Sequence, residues 1–197
     1  MTKVTIFVGN QGSGKSTLAK LYATFAWIEK ALVRGDYEKK WFERRNRLQN
    51  TYLPYHRLEN YLLSEDGKGS TIEYEGDAYS IAFSNGFLRI EENASTVSYE
   101  LPQIMYVPSE RNFISYVSKP QELKLSSEAL KEFLSEFDTA KSEMRDRLRL
   151  PINNADLEYD KLNDTLNIRD AGYKVRLTDA SSGFQSAVPL FLVSQNL

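Results

Sequence analysis

Near its N-terminus the chain reads VTIFVGNQGSGKST over residues 4–17, and no other stretch says more about the fold. A short apolar and β-branched run, Val4–Val8, leads into a glycine-rich turn, and a helical pattern begins at Leu18. The turn matches G-x-x-x-x-G-K-[ST] at its four defining positions, which are Gly9, Gly14, Lys15 and Ser16. The order of strand, turn and helix predicts a phosphate-binding loop (P-loop).

The residue types of this loop have a chemical reason. Glycine lets backbone N–H groups curl around phosphate oxygens without a Cβ clash, and the following helix points its positive dipole end at the same anion. Lys15 is expected to reach the β- and γ-phosphates, and the Ser16 hydroxyl to bind Mg²⁺ as a metal ligand. The predicted nucleotide-binding residues of the loop are Asn10, Gly12, Ser13, Gly14, Lys15, Ser16 and Thr17. The motif indicates a nucleoside triphosphate and leaves the reaction open.

The composition excludes several kinds of chemistry. The 197 residues include no cysteine, which rules out disulfide, iron–sulfur and thiol sites, and the one histidine, His56, is too few for a histidine metal site or a catalytic triad. The 25 Lys and Arg against 27 Asp and Glu argue against a strongly basic nucleic-acid coat protein, although a local basic patch stays open. No apolar run approaches the roughly 20 residues of a membrane span, and the first residues do not show the basic region followed by a longer apolar run that is typical of a secretion signal. We therefore expect a soluble, cytoplasmic protein.

Periodicity in the first half predicts helices and then strands. The helix after the P-loop is expected to run to about Leu32, a highly charged helix to cover Tyr37–Leu48, and a short one Tyr55–Leu63, with His56 at the surface or in a cap. The charged helix is either a solvated face or a basic surface, and the aromatic residues beside it suit base stacking or a small core equally. Those aromatic residues are Trp41, Phe42, Tyr52 and Tyr55.

Alternating patterns from residue 71 onward predict antiparallel strands. The expected strands are Thr71–Glu75, Tyr79–Phe83, Phe87–Ile90 and Thr96–Tyr99, followed by a buried strand Gln103–Val107. Asn85-Gly86 is a strong hairpin-turn signal. A long amphipathic helix is predicted over Ser126–Leu148, stopped by Pro151, and three more strands over Asp156–Lys161, Thr165–Asp170 and Tyr173–Thr178.

Two further segments gain meaning beside the P-loop. The run Tyr106–Phe113, YVPSERNF, would place Ser109, Glu110 and Arg111 at the C-terminal end of an apolar strand. Open α/β sheets bind their ligands at this end of the strands. The run Ala180–Ala187, ASSGFQSA, places a Ser-Ser-Gly turn at the start of an apolar helix, which is a second candidate anion site.

The order of these segments resembles that of ABC-type ATPase heads, closest to the heads of RecF and of structural-maintenance-of-chromosomes proteins, which are often called AAA-family ATPases. The resemblance implies an α/β fold of the P-loop NTPase kind and a single domain over residues 1–197. Within that domain, 1–35 would hold the P-loop strand and helix, 36–70 a helical insertion, 71–118 an antiparallel region ending in the VPSERN loop, 126–150 the long helix, and 155–197 hairpins and a signature-like helix.

The same resemblance assigns roles. Ser182, Gly183 and Gln185 would form the signature motif, which in such heads binds the γ-phosphate of a nucleotide held by the partner subunit. ATP, or ADP, with Mg²⁺ would be the ligand, and a homodimer would form with ATP between two heads. Glu110 stands near the position of the family's Q-loop glutamine. No catalytic residue is assigned.

One departure from the family is large. In such heads an apolar strand ending in Asp-Glu follows the signature helix after roughly twenty residues and supplies the Mg²⁺-ligating Asp and the catalytic Glu. The sequence ends 12 residues after Gln185, before such a strand. We therefore expect an N-terminal portion of a longer ATPase that binds nucleotide and hydrolyses it poorly alone. The alternatives are a small P-loop kinase or other phosphotransferase, and a regulatory module that interacts with nucleic acid through the Lys39–Arg47 segment.

Overall fold

Residues 4–62, 69–94, 99–117 and 124–196 are described by the structure, a computed structural model. The chain divides into two compact units, Met1–Tyr106 and Val107–Leu197, and each combines helices with an antiparallel sheet. The α/β class is therefore confirmed. The interpretation of residues 1–197 as one domain stays a prediction. None of the helices in the described ranges is both long and apolar enough to cross a bilayer.

The first unit is built around α1, Lys15–Val33, which forms where the sequence predicts it. Its core-facing side chains join those of a three-stranded sheet, β1 Ile72–Glu75, β2 Tyr79–Ser84 and β3 Phe87–Glu92, in the order β1-β2-β3. The shared cluster includes Phe25, Ile28 and Leu32 of α1 and Ile81, Phe83, Leu88 and Ile90 of the sheet. Asn85 and Gly86 have φ of 49° and 83°, as a tight hairpin turn requires, so this predicted hairpin is confirmed.

The predicted charged helix over Tyr37–Leu48 is wrong in its extent. Only α2, Lys39–Phe42, is α-helical, and a π-helix, Leu48–Tyr52, follows it. The helical pattern breaks because Asn46 takes a left-handed φ of 56° and donates its backbone N–H to the carbonyl of Gly86 in the hairpin turn, at 2.6 Å. A tertiary contact therefore overrides the local pattern.

The predicted helix over Tyr55–Leu63 is reduced to one 3₁₀ turn, Pro54–His56. It ends there because Arg57 adopts a left-handed φ of 59°. Leu63, and residues 96–98 of the predicted strand Thr96–Tyr99, lie outside the described residues, while Tyr99 itself is not in a strand.

Two predicted strands, Val4–Val8 and Gln103–Val107, are not formed. Val4, Ile6 and Val8 are instead exposed by 74%, 79% and 92%. Runs of this kind become strands when neighbouring strands cover both edges, as in a parallel sheet, and both described sheets are purely antiparallel and do not include these runs. A P-loop NTPase fold therefore remains a proposal.

The second unit contains α3, Glu128–Glu143, whose first turn is capped by the Ser127 hydroxyl accepting from the Leu130 N–H at 3.3 Å. The helix ends before the predicted Leu148 because Leu148–Arg149 forms β4 and pairs with β5. The sheet order is β4-β5-β6-β7, with β5 Asp156–Asp160, β6 Thr165–Asp170 and β7 Tyr173–Arg176. The three predicted strands of this region are thus confirmed, with slightly shorter ends.

The last helix, α4, Ser182–Asn196, contains Pro189 in its interior and packs against α3. Proline lacks the N–H that would bond the carbonyl four residues earlier, here that of Gln185. The 3₁₀ helix Ser109–Tyr116 supplies the missing donor, since the Ser115 hydroxyl donates to the Gln185 carbonyl at 3.2 Å. A second 3₁₀ turn, Leu177–Asp179, leads from β7 into α4.

Candidate phosphate-binding loop and signature-like turn

The glycine-rich loop already has the backbone shape that its motif requires. Gly12 and Gly14 have φ of 80° and 84°, a left-handed conformation that other residue types rarely adopt. The Ser13 N–H donates to the Asn10 carbonyl at 3.2 Å and closes the turn between the two ends of the loop. The two glycine conformations and this hydrogen bond together define the turn.

The loop leads directly into the N-terminus of α1. Gly14 is the N-cap residue and has no side chain that could cap the helix. The first N–H groups of a helix have no intrahelical acceptor, and the first turn of α1 contains no acidic residue of its own to balance the positive end of the helix dipole. Ser16 is exposed and Thr17 half-buried at this end. The arrangement suits a phosphate group.

The Lys15 ammonium group folds back over its own loop. Its Nζ donates to the carbonyls of Gly9 and Asn10, at 2.7 and 2.6 Å, and to the Ser13 hydroxyl at 3.2 Å. No carboxylate in the described part of the chain forms an ion pair with this ammonium group. A phosphate could replace these neutral acceptors with charged oxygens, which would add the attraction between opposite charges to the hydrogen bonds of the ammonium group.

The residues present fit magnesium only as part of a nucleotide complex. Within the described ranges, no group of three or more His, Asp or Glu side chains could hold a metal ion. The exposed Ser16 hydroxyl at the α1 N-terminus offers one oxygen ligand. Mg²⁺ commonly takes one or two protein oxygens and completes its shell with phosphates and water, so this donor set suits a phosphate-bound ion.

The helix that follows the loop has a buried anchor that the sequence analysis did not single out. Glu29, fourteen residues after Lys15 on α1, is 3% exposed. It accepts hydrogen bonds from the Tyr74 hydroxyl at 2.7 Å and from the backbone N–H groups of Ala78 and Tyr79, at 2.7 and 3.0 Å. Burial and this hydrogen bond raise the pKa of Tyr74 well above its ordinary value. A glutamate in a helix usually faces solvent, so the sequence of α1 does not indicate that Glu29 is buried.

The signature-like turn lies in the second unit. Ser182 and Gly183 are exposed at the start of α4, whereas Gln185 is 7% exposed. The Gln185 side-chain amide donates to the carbonyls of Thr178 and Ala180, at 2.9 and 3.0 Å, and so holds the turn in front of the helix. Gln185 therefore has a structural role, and its contact with a nucleotide stays a prediction.

The VPSERN segment forms a 3₁₀ helix in place of the expected strand end. Arg111 forms hydrogen bonds within the second unit. Its Nε donates to the Ser186 carbonyl at 3.1 Å and its Nη1 to the Pro108 carbonyl at 3.3 Å. Glu110 is exposed and accepts from the Ser109 hydroxyl at 2.9 Å. The segment anchors α4, and the Q-loop role of Glu110 stays a prediction.

The expectation of a surface or capping His56 is wrong, since His56 is 5% exposed. Its ring meets those of Tyr55 and Tyr106 edge-on, with centroids 4.7 and 5.1 Å apart, and its Nδ1 has no hydrogen-bond partner among the described residues. The Lys20 ammonium donates to the His56 backbone carbonyl at 3.0 Å. Burial and the charge of Lys20 together lower the pKa of His56 from its ordinary value of 6.5 to about 4.

The buried imidazole predicts a loss of stability in mild acid. Between pH 6.5 and about 4 the unfolded chain binds a proton at His56 that the folded chain does not. The free energy of unfolding should therefore fall as the pH drops from 7.0 to 4.5, by roughly 2–3 kcal/mol from this residue. Urea titrations at the two pH values measure the change. His56→Phe, which keeps an aromatic ring, should remove most of it, and an unchanged pH dependence would contradict the prediction.

Comparison of the chain with protein-family models, with curated proteins and with solved structures yields no match.

Proposed function

We propose that this chain is a nucleotide-binding portion of an ABC-type ATPase head and that residues 9–17 bind ATP or ADP with Mg²⁺. One observation carries the proposal. A complete G-x-x-x-x-G-K-S motif has left-handed Gly12 and Gly14 and opens onto an α1 N-terminus that has neither a side-chain cap nor an acidic first turn. Each of these features favours an anion at the same point.

The roles of the residues follow from their positions. The backbone N–H groups of the loop and of the first turn of α1 would surround the β-phosphate, and Lys15 would exchange its carbonyl acceptors for phosphate oxygens. The Ser16 hydroxyl would complete the shell of a phosphate-bound Mg²⁺, which neutralises phosphate charge when bound. The proposal concerns binding, because no residue of the chain is assigned to the activation of water.

Isothermal titration with ATP, ADP and AMP in the presence and absence of Mg²⁺ tests the proposal. ATP and ADP should bind and AMP should bind far more weakly, because the loop recognises the β-phosphate. Absence of ATP and ADP binding with Mg²⁺ would refute the proposal. ADP release that depends on an added small-molecule acceptor would instead favour the phosphotransferase alternative.

The proposal includes a second contact, at the exposed turn Ser182-Gly183. If this turn binds the γ-phosphate held by another copy, the chain should dimerise with ATP and remain monomeric with ADP. Ser182→Arg places a bulky side chain in the turn and should abolish the ATP-dependent dimer in light-scattering measurements of mass. Ser194→Arg, the same change at an exposed position near the other end of α4, is the control and should still dimerise. Equal behaviour of the two variants would contradict the role of the turn.

A further inference from the structure

Aromatic rings from α1, from α2 and the residues just before it, and from the π-helix meet in the first unit and form a continuous chain of contacts. The Trp27 ring lies 6.2 Å from the Tyr37 ring and 5.6 Å from the Tyr52 ring, and Tyr37 stacks on Trp41 at 5.7 Å with 26° between the planes. The Trp41 Nε1–H donates to the Tyr52 hydroxyl at 3.2 Å and fixes the indole. Together with two arginines we call this group the aromatic–arginine cluster; its members are Trp27, Tyr37, Trp41, Tyr52, Arg44 and Arg47.

The two arginines lie against the central ring of the cluster. The guanidinium carbons of Arg44 and Arg47 are 5.0 and 4.2 Å from the centre of the Trp41 ring. Both distances are within the range of cation–π attraction. The contacts hold two planar cations beside the aromatic rings.

The cluster is open to solvent. Trp27 and Tyr37 are 40% and 38% exposed, although large aromatic rings contribute most when they are buried. Phe42, which is fully buried, lies against the Tyr37 and Tyr52 rings with centroids 5.4 and 5.5 Å apart, so the core supports the cluster from one side. Rings held rigidly and left partly open are suited to stacking with another flat group.

The charge of the surrounding segment favours an anionic partner. Residues 37–47 contain five cationic residues and two acidic residues, Glu38 and Glu43, even though the whole chain has a net charge of −2. Lys39 pairs with Glu92 at 3.7 Å, so the positive charge rests mainly on the three arginines. The Glu43 carboxyl group is occupied by the Ile90 N–H at 3.2 Å. In the described part of the chain, no carboxylate forms an ion pair with Arg44, Arg45 or Arg47.

We propose that the aromatic–arginine cluster binds single-stranded nucleic acid. Unpaired bases would stack on the exposed parts of Trp27 and Tyr37 and on the guanidinium planes, and Arg44, Arg45 and Arg47 would contact phosphates. An acidic protein segment would pair with the cations but would not stack on the exposed aromatic rings. In a duplex the faces of the bases are already stacked on one another and cannot contact the rings. The site is separate from residues 9–17, so this proposal does not depend on the nucleotide-binding proposal.

The chain contains a built-in probe for this test. Its only two tryptophans, Trp27 and Trp41, are both members of the cluster, so intrinsic tryptophan emission reports on this surface alone. An unlabelled oligothymidylate of about 16 nucleotides should quench the emission saturably, and the affinity should fall steeply as salt is raised. The matched duplex should bind more weakly. Polyglutamate at the same charge should not quench.

Two variants of equal charge change locate the site. Arg47→Glu should weaken the affinity by roughly tenfold or more, whereas Arg89→Glu, at an exposed position on β3, should change it by less than about twofold. Thermal unfolding confirms that each variant is folded; if Arg47→Glu is not, Arg44→Gln and Arg89→Gln, which again change the charge equally, replace the two variants. The proposal is overturned by no binding at low salt, by equal losses in the two variants, by equal affinity for duplex, or by equal quenching with polyglutamate.

Discussion

Lys15→Ala is expected to lower the affinity for Mg-ATP by roughly ten- to a hundredfold, the effect of removing a hydrogen-bonded charge from a phosphate. In the structure the ammonium group spans the loop from Gly9 to Ser13 and has only neutral acceptors. Its loss therefore removes the one side-chain cation that a bound nucleotide would find inside the loop. Isothermal titration with ATP and ADP measures the change.

A matched variant separates this effect from a general change of charge. Lys30→Ala removes the same charge from the opposite end of α1, in its last turn, and should leave the affinity nearly unchanged. Circular dichroism should show the same helix content in both variants, because alanine favours helices. Equal affinity in Lys15→Ala and the unmodified chain would contradict the assignment of residues 9–17 as the nucleotide site.

Glu29→Ala is expected to have the largest effect on stability, lowering the free energy of unfolding by about 3–5 kcal/mol, because each buried donor left without an acceptor costs about 1–3 kcal/mol. The substitution leaves the Tyr74 hydroxyl and the N–H groups of Ala78 and Tyr79 without their acceptor in a buried position. It also separates α1 from the turn between β1 and β2. Urea unfolding followed by circular dichroism measures the loss.

Two further variants test the explanation. Glu73→Ala, an exposed glutamate on β1, should change the free energy of unfolding by less than about 0.5 kcal/mol. Gly76→Ala should be destabilising for a related reason, because an added Cβ at this turn would overlap the Glu29 carboxyl group. A small effect of both Glu29→Ala and Gly76→Ala would mean that the turn does not depend on this contact.

Local patterns predicted those parts of the fold whose partners are near in sequence. The apolar periodicity placed α1 and α3, and Asn85-Gly86 placed the hairpin of β2 and β3, because each needs only neighbouring residues to form. The same patterns failed for Val4–Val8 and Gln103–Val107, since an apolar run becomes a strand only when distant strands cover its edges.

The candidate site shows the same division. The turn of the glycine-rich loop could be predicted from its motif, because the positive φ values of Gly12 and Gly14 are local requirements of the turn. Phosphate binding by this loop stays a prediction. The buried contact of Glu29 could not be predicted, because its partner Tyr74 is far away in sequence. The burial of His56 could not be predicted either, because it depends on Tyr106. The burial of Gln185 beneath the signature-like turn was missed because a glutamine near a helix start is usually exposed.

Pro189 makes two segments of the second unit depend on each other during folding. A helix α4 formed alone would carry a carbonyl at Gln185, in its first turn, that no backbone N–H of the helix could bond in the usual way. The hydroxyl that bonds this carbonyl belongs to Ser115, seventy residues earlier, and Arg111 bonds the next carbonyl along. Because of the proline, α4 does not supply all of its own hydrogen bonds. We expect α4 and the 3₁₀ helix Ser109–Tyr116 to fold cooperatively, since α4 gains its full hydrogen bonding only when this 3₁₀ helix packs against it.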